Sequence, residues 1–482
     1  MNVLYLSQYF PPEVGATQNR AYEMATNLVR MGHRVTVLTE VPNHPKGIIH
    51  PGYRRRLVVC EDLEGVQVLR VWVVVSPRKT FATRLAFYLS FAFMASLAGV
   101  LHRKRYDVVL ATSPPLFVGA AGLLIARVRR LPFVFEVRDV WPLSAVELGE
   151  IRSHTYARLA EGLELMLYRN ALVVPVVTRG IFDILRARGV PEQKLVLIPN
   201  GTNTELFYDR GRGARSSLGL TDEFVVMYAG IFGIAQGMET LCEAACLLRS
   251  DAHIRFVFVG EGPAKEQVRR LCDEWQLHNV MLLDEVPRER IPLLLSAADA
   301  CIVPLKRKPL FHGALPSKMF DAWACARPVF LAVDGEARRV MEQAQGGVFV
   351  EPEDPEALVR AIRRLADDLP LARRLGANGR HYVERYFSHD LSRQGSALPL
   401  CATELPAAVV GAGAVVPAIG GAPWGTRSAC VAKGPCPAHA AAGGYRHLHH
   451  LHAGCGGEPW PVPHVARSPA CGHAPDPFGG AK

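Results

Sequence analysis

"FVVMYAGIFGIAQGMETLCEAA", Phe224 to Ala245, decides the fold. It opens with a β-branched and aromatic run that reads as a strand buried on both faces. It then turns through glycines at 230, 233 and 237 and continues into a segment of helix length. Strand, glycine-rich loop and helix in that order form one unit of a parallel α/β sheet. The loop resembles a phosphate cradle, in which backbone N–H groups at a helix start meet an anion. Its glycines lack the G-x-G-x-x-G spacing of a dinucleotide site, which weakens a nicotinamide-dependent dehydrogenase reading.

Working outward, "IRFVFVGEG", "NVMLLDEV", "ACIVPL" and "PVFLAV" repeat the strand pattern with helices between. Upstream, a first series does the same: "NVLYLSQYF", "HRVTVLTE", "DVVLATS", "PFVFEVRDV", "ALVVPVVT" and "KLVLIPNG", with helices such as Thr17 to Met31 and Thr155 to Arg169. Between the series, "DRGRGARSSLGL" (Asp209 to Leu220) breaks the apolar periodicity. A chain of 482 residues also exceeds one hydrophobic core, at roughly 100 to 200 residues per domain. The expected architecture is α/β with two Rossmann-like domains facing across a cleft: residues 1–200, a linker at 201–220, and residues 221–394.

Residues 395–482 differ in kind. Alanine, glycine, proline, histidine and cysteine dominate, charge nearly vanishes and no periodicity persists. Such a segment buries too little to fold alone, and the abrupt switch reads as out-of-frame translation of a GC-rich gene.

The net charge of +10 suits anionic partners such as nucleotides or lipid headgroups. No aromatic-basic interleaving supports nucleic acid. "MNVLYLSQYF" reads as a first strand, without the basic n-region of a signal sequence. "LAFYLSFAFMASLAGVL" (Leu85 to Leu101) carries no charge and is flanked by Arg84 and "HRKR". It is read as a helix dipping into a membrane interface, with a plain core helix and a spanning helix as the other options. The expected location is cytoplasmic, peripherally attached to the cytoplasmic membrane.

Ligands of open α/β sheets bind beyond the carboxyl ends of the strands. Three loops there carry candidates. Gly15, in "PPEVGATQNRAYEMA", precedes a helix start. Gly233 and Gly237 offer N–H groups beside Gln236. In "LPSKMFDAWACARPV" (Leu315 to Val329), Ser317 is expected as N-cap, with Lys318 in the first turn and Asp321 one turn later. A lysine at a helix N-terminus opposes the dipole unless an anion lies there, and a diphosphate supplies one. Asp321 is placed to accept ribose hydroxyls; the simpler reading is a surface Lys–Asp pair. Asp139, in "VRDVWP", stands at a strand's carboxyl end as a base candidate or as a loop cap.

Together, "YLSQYFPPEVGATQNRAYEMATNLVRMGHRVTVLT", "VRDVWPLSAVELG", "IPNGTNTELF", "YAGIFGIAQGMETL", "FVGEGPAKEQV" and "LPSKMFDAWACARPV" resemble, in that order, the retaining GT-B glycosyltransferases of family four. The resemblance covers residues 1–394. It is nearest the bacterial branch that builds surface polysaccharides, including fucosyl and N-acetylfucosaminyl transferases of O-antigen and capsule pathways.

It implies a nucleotide-diphosphate sugar donor, a lipid-linked or saccharide acceptor bound by the first domain, and no obligatory metal or other cofactor; no D-x-D triplet occurs in the sequence. It further implies that Lys318 neutralises the departing diphosphate and that Asp321 takes the place of the second of two glutamates. Gly313 stands in the place of the first. The Arg and Lys that the wider family carries in the 230–237 loop are missing, and Gln236 stands there. The rivals are a nucleotide-sugar epimerase of the same architecture and an inactive nucleotide-sugar-binding protein.

Overall fold

The computed structural model describes residues 1–13, 15–44, 47–78, 80–147 and 153–388. The tail from 395 and its expected frame change lie outside the described residues, as does the end of the closing segment near Gln394.

The first domain is an eight-stranded sheet of β1 (Asn2–Leu6), β2 (Arg34–Glu40), β3 (Val58–Leu63), β4 (Val66–Val71), β5 (Val108–Ser113), β6 (Phe133–Val137), β7 (Val174–Val176) and β8 (Leu195–Leu197). The strand order is β3-β4-β2-β1-β5-β6-β7-β8. Its helices are α1 (Ala16–Arg30), α2 (Phe81–Leu101), α3 (Leu116–Arg129), α4 (Leu143–Glu147), α5 (His154–Asn170) and α6 (Arg179–Ala187).

The short α7 (Ala214–Ser217) precedes a six-stranded sheet of β9 (Phe224–Ala229), β10 (Ile254–Val259), β11 (Val280–Leu283), β12 (Ala300–Pro304), β13 (Val329–Ala332) and β14 (Gly347–Phe349). Its order is β11-β10-β9-β12-β13-β14, parallel throughout. Around it lie α8 (Met238–Leu247), α9 (Lys265–Glu274), α10 (Ile291–Ala297), α11 (Ser317–Ala324), α12 (Glu336–Ala344), α13 (Pro355–Asp367) and α14 (Leu369–Tyr386).

The interior strands are buried on both faces, as their unbroken apolar runs require; β9 keeps Phe224 to Tyr228 buried. One departure from the parallel alternation stands at the edge of the first sheet. β3 pairs antiparallel with β4 through a tight turn at Glu64 and Gly65, both at positive φ. β3 alternates exposed and half-buried residues, so its sequence lacks the apolar run that marks a central strand.

Strand order fixes where ligands bind. In the first sheet the chain leaves β1 for β2 on one side and β5 on the other. In the second, β9 is flanked by β10 and β12. The loops beyond β9 and β12 therefore border a crevice at the point where the order reverses.

Candidate active site

The second crevice gathers the expected donor residues. Beyond β9 the chain passes Gly230, makes a 3-10 turn over Ile234–Gln236 and enters α8 through Gly237, at φ 58°. α11 brings Lys318 beside this loop. The Lys318 ammonium lies 5.5 Å from the centre of the Tyr228 ring. Its aliphatic stem runs so close to Gly230 that a Cβ there would overlap Lys318 Cε. Gly230 is thus a passage for the lysine as well as a turn.

Lys318 is half-buried, and among the described residues its Nζ makes no hydrogen bond or ion pair. Burial pulls its pKa down to about 8, against the opposing pull of Asp321. Asp321 acts on this cation without pairing with it directly, and a diphosphate would provide a paired counter-charge.

The expectation for Ser317 needs correction. Ser317 is the first helical residue of α11, with Pro316 before it, and no side chain caps the helix. A side-chain cap satisfies one N–H group; here an extended proline sets the entry instead. Asp321 is not turned wholly to a ligand, since Thr202 Oγ1 donates to its Oδ1 at 2.6 Å. Gln236 folds its side chain back against Gly233. The cation beside Gly237 is Lys306 from the end of β12, whose Cγ comes within 3.3 Å of the position of an added Cβ. Its Nζ is 3.8 Å from Glu239 in the first turn of α8. Lys306 was visible only as one of several basic residues in "PLKRK".

In the first domain, Gly15 has extended backbone at the start of α1, and the Gln18 side chain occupies the space beside it. Asp139 accepts from Ser144 Oγ at 2.8 Å, which ties the loop after β6 to α4. Next to it, buried Arg20 pairs with buried Glu136 at 3.1 Å. Burial by itself would raise the Glu136 pKa, but Arg20 and Arg138 hold it below the usual carboxylate range. Arg20 also donates to the carbonyls of Ile198 at 3.1 Å and Pro199 at 3.0 Å, fastening α1 to the chain just beyond β8.

The domains meet through closely fitted backbone. Gly313 and Gly180 stand so near each other that a Cβ on Gly313 would lie 2.9 Å from the Gly180 Cα. No glutamate fits at 313 with the domains so placed. Arg288, beyond β11, pairs with Glu23 of α1.

These features match known proteins along the whole paired architecture. Residues 15–201 match the model of the glycosyl transferase 4-like domain, and residues 213–382 that of glycosyl transferases group 1. WcaI of Escherichia coli, named as a colanic acid biosynthesis glycosyl transferase, is 26% identical over 377 residues, covering 76% of this chain and 92% of its own. The alpha-monoglucosyldiacylglycerol synthase of Acholeplasma laidlawii is 21% identical over 367 residues, covering 72% and 84% respectively. Among solved structures, Anabaena HepE in complex with UDP-glucose superimposes with a TM-score of 0.61 at 18% identity, over 82% of this chain and 97% of HepE. The chain is a glycosyltransferase of the GT-B fold.

Proposed function

We propose that the chain moves a glycosyl unit from a nucleotide-diphosphate sugar to a lipid-linked acceptor at the cytoplasmic membrane, with retention of anomeric configuration, in the assembly of a bacterial surface polysaccharide. The observation that carries this reading is the Lys318 ammonium at the β9/β12 crevice, without a hydrogen bond or ion pair among the described residues. Glycosyl transfer builds negative charge on the departing diphosphate, and fixed donors aimed at that charge are the strongest catalytic aid available. Lys318 takes that role, helped by N–H groups of Gly233 and Gly237, with Gly15 reaching from the first domain. Asp321 holds the ribose, and Asp139 meets the acceptor or donor sugar and takes a proton. No step is assigned to a metal or other cofactor.

The lipid acceptor is supported by α2. Among the described residues it is the one helix long and apolar enough to cross a bilayer, yet only Phe91, Ala95 and Gly99 are buried. Phe93, Leu97 and Leu101 are 68%, 46% and 67% exposed, with basic residues at both ends of the helix. That distribution suits a helix lying in an anionic membrane surface. The names of WcaI and the diacylglycerol synthase support, in turn, a polysaccharide pathway and a lipid acceptor. Resemblance to the fucosyl and N-acetylfucosaminyl branch makes those sugars the first donors to try.

The test is thermal stabilisation by UDP-, GDP-, ADP- and dTDP-sugars, with Lys318→Ala beside the wild type, followed by NMR of the anomeric centre in any product. Stabilisation by one nucleotide class, lost in the variant, is expected. Nucleotide binding without transfer would leave a binding protein, and a recovered C2-epimeric sugar would make it an epimerase.

A further inference from the structure

The far edge of the second sheet carries a groove of about 740 Å³, two strands removed from the donor crevice. Gly347 and Phe349 of β14 line its floor. α12 supplies one wall, through Met341, and α13 and α14 supply the other, through Arg364 and Arg374. Val348 packs into the core on one face of the sheet and Phe349 into the core on the other. The groove is therefore a slot between two helix layers, in the position that the next strand of the sheet would take.

Its backbone is open for pairing. Among the described residues β14 pairs with β13 alone. The Gly346 carbonyl accepts the Val329 N–H at 3.1 Å, and the Val350 N–H donates to the Leu331 carbonyl at 3.0 Å, both toward β13. Successive residues of a strand bond to alternate sides, so the N–H and C=O groups of Gly347 and Phe349 point to the groove. An edge of this kind accepts an extended chain readily. The two walls differ in character. On the α13–α14 side Arg364 and Arg374 are exposed, and among the described residues neither makes an ion pair. Neighbouring Arg360 and Arg363, by contrast, pair with Glu356 and Asp251. On the α12 side Arg338 lies 4.0 Å from the centre of the Phe349 ring and holds Glu342 at 2.8 Å. One wall thus offers two uncommitted cations, and the other an apolar surface whose acid is already paired.

We propose that this groove docks an extended acidic segment of a partner protein, which adds one more strand beside β14 with its carboxylates on Arg364 and Arg374. Side chains of a strand alternate between its faces, so a segment alternating acidic and apolar residues meets both walls at once. Charge complementarity selects this occupant, since bidentate arginine–carboxylate pairs are the strong ones. The tail from 395, in which charge nearly vanishes, does not supply it. The groove stands apart from the donor and acceptor readings, because its residues lie at the opposite end of the sheet order from β10 and β11 and do not border the β9/β12 crevice.

The experiment uses the full chain and a fluorescein-labelled peptide of alternating glutamate and valine, read by fluorescence anisotropy, with hydrogen exchange and mass spectrometry over residues 345–350. The peptide is expected to bind and to slow exchange at Gly347 and Phe349. The same peptide N-methylated along its bonding edge should bind about tenfold more weakly or worse, through lost strand hydrogen bonds. Arg364→Glu/Arg374→Glu should lose the glutamate peptide and take up its lysine–valine counterpart, a reversal that a folding defect cannot produce. Thermal stabilisation by nucleotide sugars should be the same in this double variant as in the wild type. Failure of the wild type to bind the glutamate peptide overturns the proposal, as does equal binding of the N-methylated peptide or of the lysine counterpart. Concentration-dependent dimerisation of the wild type, lost in the double variant, would make the occupant a second copy and overturn the acidic partner.

Discussion

Glu336 of the second domain accepts the backbone N–H groups of Arg179 and Gly180 of the first, at 2.9 and 2.8 Å. The next N–H of α6, that of Ile181, goes to Thr178 Oγ1 at 3.1 Å. The helix start is thus satisfied from within its own domain and from across the cleft. Beside it, Gly180 meets Gly313 backbone to backbone. The N-terminus of α6 is therefore a clasp that exists only while the domains are together.

Opening the clasp is expected to affect closure before it affects nucleotide binding. Glu336→Ala should lower stability by about 1 kcal/mol, the usual worth of a helix cap. Gly180→Ala should be harsher, because its Cβ would overlap the Gly313 Cα. Both variants should show lower kcat with nucleotide affinity nearly unchanged. Steady-state kinetics beside calorimetric nucleotide binding separates the two effects.

Lys318→Ala should weaken nucleotide-diphosphate binding about 10- to 100-fold, if one charged hydrogen bond is worth roughly 1.5–3 kcal/mol. Because burial brings the Lys318 pKa down to about 8, wild-type affinity should be flat below pH 8 and fall above it as the ammonium loses its proton. Lys318→Arg should remove that decline. The linkage to stability has the opposite sense: a lowered folded pKa penalises the protein below about pH 8, and the penalty lifts as pH rises toward the unfolded value near 10.5. Nucleotide titrations and thermal midpoints from pH 7 to 10 check both.

Glu13 supplies a second pH dependence. Burial raises its carboxyl from 4.5 to about 7, so the folded chain holds that proton more tightly than the unfolded one. The wild type should lose stability from this group as pH rises between those values. Glu13→Gln, which keeps an acceptor for Asn43 and His44, should gain on the wild type over the same interval. Thermal midpoints at pH 5 and pH 8 for both proteins measure the difference.

Asp299 anchors the second domain's core at the edge of β12. It pairs with buried Arg215 at 3.0 Å and accepts the Val225 N–H at 2.8 Å. Asp299→Ala leaves a buried guanidinium unpaired and should destabilise the chain by about 3–5 kcal/mol. Urea denaturation reads this directly.

Much of the fold was legible because strands buried on both faces need unbroken apolar runs, as in Phe224–Tyr228 and Val108–Ala111. The β3–β4 hairpin was not, since its edge strand alternates half-buried with exposed residues, leaving only Glu64-Gly65 as a turn signal. Of the site, the sequence itself determined the glycine loop beyond β9 and the lysine opening α11, since helix starts and tight turns are local properties. Tertiary structure alone decided that Gly230 makes room for Lys318, that Lys306 lies beside Gly237, that Thr202 donates to Asp321, and that Glu336 closes α6. Each of these joins residues far apart in the chain, and steric fit between distant backbones leaves no local pattern.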